Sequence, residues 1–164
     1  MINSSTLNGN SSHSFGGGIS CYGTLTLSNT TISGNKAGTG GGIDIYGGTA
    51  ALQNSIVANS SYGGDCYGSL TSKGYSLSSD NTCAFNGTGD LNNTNAGLVP
   101  LQNNGGPTQT MALPSGSPAV DAGNPSGCTD GQGQLLKTDQ RGQSRPDSED
   151  TGGCDIGAYE RQQD

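Results

Sequence analysis

The chain has 164 residues, of which 29% are hydrophobic and 12% charged, with 30 glycines and a formal net charge of −7. Six Lys plus Arg cannot build the basic footprint that a phosphate backbone needs, so nucleic acid is excluded as a partner, and no apolar run reaches membrane-spanning length. The low charge density also argues against disorder: the polar mass is Ser, Thr, Asn and Gly, the residues of tight turns and stacked strands.

The first half of the chain repeats. Gly16-Gly17-Gly18-Ile19 returns as Gly40-Gly41-Gly42-Ile43, 24 residues later. Between the two lies Thr24-Leu25-Thr26-Leu27-Ser28-Asn29-Thr30-Thr31-Ile32-Ser33-Gly34-Asn35. Its second half recurs as Leu52-Gln53-Asn54-Ser55-Ile56-Val57-Ala58-Asn59, and earlier as Ile2-Asn3-Ser4-Ser5-Thr6-Leu7-Asn8-Gly9-Asn10. A turn of this length predicts three short strands joined by glycine-rich corners. Alternation puts Leu25, Leu27 and Ile32 on one face and hydroxyl residues on the other. One turn cannot bury its apolar face, but turns stacked about 4.8 Å apart can. The expected fold is therefore all-β: a right-handed parallel β-helix of five to six turns. Asn10, Asn35 and Asn59 are expected to stack in a corner ladder.

Residues 1–124 read as helical turns, with 63–124 less regular and carrying longer loops. Residues 125–164 read as a closing loop and cap strand of the same domain, since an open solenoid end exposes unpaired strand edges. Ile2 already sits inside a repeat, so the N-terminal side is expected to meet upstream turns or another copy end to end. Five cysteines occur without any C-x-x-C pair, which argues for disulfides in an oxidising compartment rather than zinc. Pairing Cys66 with Cys83 and Cys128 with Cys154 closes two local loops and leaves Cys21 over. Other connectivities stay open at this level.

The glycine-corner repeat resembles that of bacterial polymorphic outer-membrane proteins. In the second half, Gly63-Gly64-Asp65-Cys66, Leu101-Gln102-Asn103-Asn104-Gly105-Gly106-Pro107-Thr108, Gly116-Ser117-Pro118-Ala119-Val120-Asp121-Ala122-Gly123-Asn124, Asp139-Gln140-Arg141-Gly142, Arg145-Pro146 and Cys154-Asp155-Ile156-Gly157-Ala158-Tyr159-Glu160 follow one another. This order resembles the C-terminal region of the choice-of-anchor Q group of bacterial surface proteins. That resemblance implies an exported, surface-associated β-helix and supplies no catalytic residues.

Three sets of residues are candidates for function. Tyr22, Tyr46 and Tyr67 each precede a glycine and are expected to point outward as a column, either a stiffening ladder or a flat strip for stacking on sugar rings. Asp139, Arg141, Arg145, Asp155 and Glu160 are expected to pin the cap through ion pairs. The remaining carboxylates, Asp44, Asp65, Asp80, Asp90 and Asp121, offer paired groups for glycoside chemistry or clustered oxygens for Ca²⁺, although no cofactor is required by any motif. Lys36 and Asp44 fall on one expected face. The leading expectation is a non-catalytic extracellular or cell-surface scaffold, adhesin-like or an assembly subunit. The alternatives are a carbohydrate-binding module with polysaccharide as partner, or a fragment of a polysaccharide lyase or hydrolase.

Overall fold

Three short strands recur in each turn and stack into three parallel sheets. The first sheet holds β1 (Ile2–Asn3), β4 (Thr24–Ser28), β7 (Thr49–Gln53) and β10 (Leu70–Ser72). The second holds β2 (Thr6–Asn8), β5 (Thr31–Ser33), β8 (Ile56–Ala58) and β11 (Leu77–Ser78), and the third β3 (Ile19–Cys21), β6 (Ile43–Ile45) and β9 (Cys66–Tyr67). The computed structural model describes residues 1–148 and 153–162. Among them the chain is all β with no helix, a parallel β-solenoid of about three turns. Leu25, Leu27, Ile32, Ile43, Ile45, Leu52 and Val57 fill the narrow interior, as the alternation of the first turns predicts.

The register differs in detail from the sequence repeat. Leu7, Ile32 and Val57 form one inward column, spaced 25 residues apart. Asn10 and Asn35 do stack, with the Asn10 amide donating to Asn35 Oδ1 at 3.1 Å. Asn59 lies one position out of step with that column, is exposed, and donates instead to Ser33 Oγ. A second ladder stands at the corner between the first two sheets. There Ser4, Asn29 and Asn54 all take positive φ, a conformation that asparagine tolerates better than most residues. The Asn54 amide donates to Asn29 Oδ1 at 2.9 Å.

Regular stacking ends at Ser78, which corrects the expected five to six turns. The physical reason lies in the segment after β11. Cys83 and Phe85 fold back and join the inner core, closing the axial end, and Asp80 and Asp90 hold this plug through backbone amides. The disulfide between Cys66 and Cys83 ties it, with Cα atoms 4.8 Å apart and 17 residues between them in sequence. A loop of this size constrains the unfolded chain by about 3 kcal/mol. The Cys66→Ala/Cys83→Ala pair is expected to lose about that much in urea denaturation. A loss below about 1 kcal/mol would mean that packing of Phe85 and the aspartate bonds hold the plug unaided.

The C-terminal segment is not an axial cap, and among its described residues there is no strand. It runs along the side of the solenoid. Gln140 accepts from Thr6 Oγ1, the Ala158 amide donates to Thr31 Oγ1, and the Gly157 amide donates to the Asn54 carbonyl, so consecutive turns are bridged. A second apolar core lies beneath it, where Ile56, Ala58 and Leu77 meet Ala96, Leu113, Ala119 and Ile156. The cause is visible in β8: Ile56, Val57 and Ala58 are all buried, so this strand is apolar on both faces and needs cover outside as well as inside. A disulfide between Cys128 and Cys154, with Cα atoms 5.9 Å apart, ties this flank. Cys21 is free and half-buried. Residues 149–152 and 163–164 of the predicted cap lie outside the described residues.

Candidate functional site

The outer face of the third sheet carries most of the exposed aromatic surface. Ile43 and Ile45 point inward, so the residues that alternate with them face solvent. Tyr22 and Tyr46 follow β3 and β6 at equivalent places and are 66% and 58% exposed. Their ring centroids lie 5.3 Å apart at an interplanar angle of 57°. Phe15 packs on the other side of Tyr46, with centroids 6.3 Å apart and planes tilted by 40°. These are tilted aromatic contacts rather than the flat strip expected from sequence. Tyr67 leaves the column, because the spacing from Ile43 to Cys66 is 23 residues and puts Tyr67 in register with Asp44. Phe15 is the member that the sequence pattern does not reveal. It lies in a loop outside the repeat and reaches the sheet by bridging to Thr39.

Beside this edge, at the corner between the second and third sheets, Ser11, Lys36 and Tyr62 form a column on three consecutive turns. With Ser12, His13, Ala37 and Gly38 they line an open groove of about 520 Å³. Lys36, His13 and Tyr62 are exposed. Asp44 does not share that surface. It faces outward in register between Ser20 and Tyr67 but is fully buried, with Oδ2 accepting from Thr39 Oγ1 at 2.9 Å.

The other carboxylates are engaged with the backbone. Asp65 accepts from the amides of Ser60, Ser79 and Asp80. Asp80 accepts from those of Asp65 and Thr82, and Asp90 from those of Ser76 and Gly87. Asp121, by contrast, contributes its own amide, which donates to Asp155 Oδ1. Among the described residues no group of three or more His, Cys, Asp or Glu is arranged to hold a metal ion.

The five residues expected to pin the C-terminal segment do come together. Arg141 pairs with Asp139 at 2.8 Å and stacks over the Tyr159 ring at 3.7 Å. Arg145 pairs with Glu160 at 2.7 Å, both side chains fully buried. Glu160 Oε2 also accepts the Asp155 amide, and the Glu160 amide donates to Asp139. Burial pushes the Glu160 carboxyl up to about 8, with the Arg145 charge opposing and the Asp155 charge adding to the rise. The folded state therefore binds this proton more tightly than the unfolded chain, where the value is 4.5. The resulting stabilisation is complete below that value and is lost as pH rises through about 8. Denaturation at about pH 5 and about pH 8 is expected to show stability falling with pH, and Glu160→Gln is expected to flatten that slope. A slope unchanged by the substitution would assign the effect to other groups.

The basic residues are dispersed. Lys36 lies in the corner groove, and Lys73 beside Gln53 and Gly131. Lys137 is near Pro125 and Leu135, and Arg161 donates to the Leu113 carbonyl. No helix among the described residues is long and apolar enough to cross a membrane, and the two disulfides fit a non-reducing compartment. Comparison with protein-family models, with curated proteins and with solved structures gives no match.

Proposed function

We propose that this chain is a non-catalytic extracellular β-solenoid, an adhesin-like scaffold displayed at a cell surface. The observation that carries the reading is the use of its acidic side chains. Asp65, Asp80, Asp90 and Asp139 each accept from two or more backbone amides. Groups held this way close turns and pin loops, and they are poorly placed to exchange protons with a substrate. The dispersed cations support the same reading, since a lyase needs a basic group facing bound uronate. The test is incubation with acidic and neutral polysaccharides in the presence of Ca²⁺, with mass spectrometry of released oligosaccharides. No release is expected, and reproducible products would overturn the reading.

A second reading, a carbohydrate-binding module, is favoured by the aromatic edge. Tyr22, Tyr46, Tyr62, Tyr67 and Phe15 are all exposed, in a chain with only eight Phe and Tyr residues (two plus six). Tyr22→Ala/Tyr46→Ala is expected to abolish retention on immobilised glycan while shifting stability by less than about 1 kcal/mol, because both rings lie outside the core. Unchanged retention would remove these tyrosines from the contact.

A further inference from the structure

We propose that the groove formed by Ser11, His13, Lys36 and Tyr62 is an anionic sugar subsite, which takes the carboxylate of a uronic acid residue in a polysaccharide whose neighbouring residues lie on Phe15, Tyr46 and Tyr22. The proposal rests on the carbohydrate-binding reading for the aromatic part of the surface and adds to it the chemical class of the ligand. Three observations carry it.

The first is charge. The protein is acidic overall, yet the lining of this groove holds a lysine, a histidine and the hydroxyls of Ser11, Ser12 and Tyr62, with no carboxylate among its described residues. The nearby Asp44 is sealed from solvent and bonded to Thr39. An anion is therefore favoured here over most of the surface. One compact ammonium among neutral hydroxyl donors balances a single carboxylate. A sulfate or phosphate ester, with its several oxygens, is better matched by the planar fork of arginine, and Arg141 and Arg145 are committed to Asp139 and Glu160.

The second observation is register. Ser11, Lys36 and Tyr62 belong to consecutive turns through parallel bridges, so they stand about 4.8 Å apart along the solenoid axis. The Lys36 ammonium thus lies between a hydroxyl on one side and an aromatic ring on the other, an arrangement that serves both the polar edge and the apolar face of a pyranose ring. The third is continuity. His13 and Phe15 are two residues apart, at most about 7 Å along the backbone, and Phe15 packs on Tyr46, which packs on Tyr22. Groove and aromatic edge form one surface long enough for several sugar residues.

Affinity electrophoresis of the whole chain in gels containing polygalacturonate, fully methyl-esterified polygalacturonate or sulfated dextran tests this. Polygalacturonate is expected to retard the protein most. Lys36→Gln is expected to weaken that retardation about fivefold, Lys36→Arg to preserve it, and neither to alter the response to the methyl ester. Lys36 is exposed, so both variants keep the fold. Equal retardation by acid and ester, abolished by Tyr22→Ala/Tyr46→Ala, would overturn the anionic subsite and leave the aromatic reading standing. Retardation that depends on Lys36 but not on the tyrosines would keep the subsite and overturn the aromatic reading. Stronger retardation by sulfated dextran would overturn the uronate assignment, and no retardation by any polymer would overturn both.

Discussion

Arg145→Leu is expected to destabilise the protein by about 4 kcal/mol. The guanidinium and the Glu160 carboxylate are both fully buried and 2.7 Å apart. Removing one partner strands the other in a medium where an uncompensated charge costs about 3–5 kcal/mol. The variant can relieve part of that cost by protonating Glu160, which burial already favours. The loss should therefore be smaller near pH 5 than near pH 8, by the same linkage that governs the parent. The double variant Arg145→Leu/Glu160→Gln keeps an acceptor for the Asp155 amide and removes the stranded charge, so it should recover more than half of the loss. Urea denaturation with the disulfides intact measures all three proteins. A single variant within about 1 kcal/mol of the parent would show that the pair is not desolvated as described.

Ile156→Ala is expected to cost roughly as much, about 4 kcal/mol, for a different reason. Ile156 is fully buried in the outer core with Ile56, Leu77 and Ala119, and its amide donates to the Ala119 carbonyl. Truncation removes the transfer energy of three carbons and leaves a cavity that a disulfide-tied flank cannot easily collapse. The effect should also be local. The inner core of Leu27, Ile32, Ile43 and Leu52 does not include this residue, so hydrogen exchange should rise first in β8 and β11, whose outer faces the flank covers. Uniform loss of protection across all three sheets would instead make flank and solenoid a single cooperative unit.

The first two turns were legible because the forces that form them are local and periodic. Gly17 shows why: a Cβ there would meet the Lys36 carbonyl oxygen at 2.4 Å and that of Gly41 at 2.5 Å, so the close approach of successive turns selects glycine at each corner and leaves a visible mark. The local disulfide loops were legible for a similar reason, as was the convergence of Asp139, Arg141, Arg145, Asp155 and Glu160, whose opposite charges sit in one segment. On the exposed edge, the pairing of Tyr22 with Tyr46 follows from the same 24-residue spacing. Tyr67 does not join them because the next turn is one residue shorter, a change that moves a side chain along the sheet without altering its pattern of apolar and polar residues.

Residue order alone specifies a stacked, all-β coil with an apolar interior, because strand alternation and glycine corners recur at a period that only stacking satisfies. How many turns form, and where the last third of the chain goes, depend on contacts between segments distant in sequence. The one local mark of the flank is the unbroken apolar run Ile56-Val57-Ala58, which says that β8 is covered on both faces but not by what. Likewise Phe15, His13 and Tyr62 carry no repeat signature. They become neighbours of Tyr46 and Lys36 only because parallel stacking sets residues some two dozen positions apart side by side, about 4.8 Å from one another.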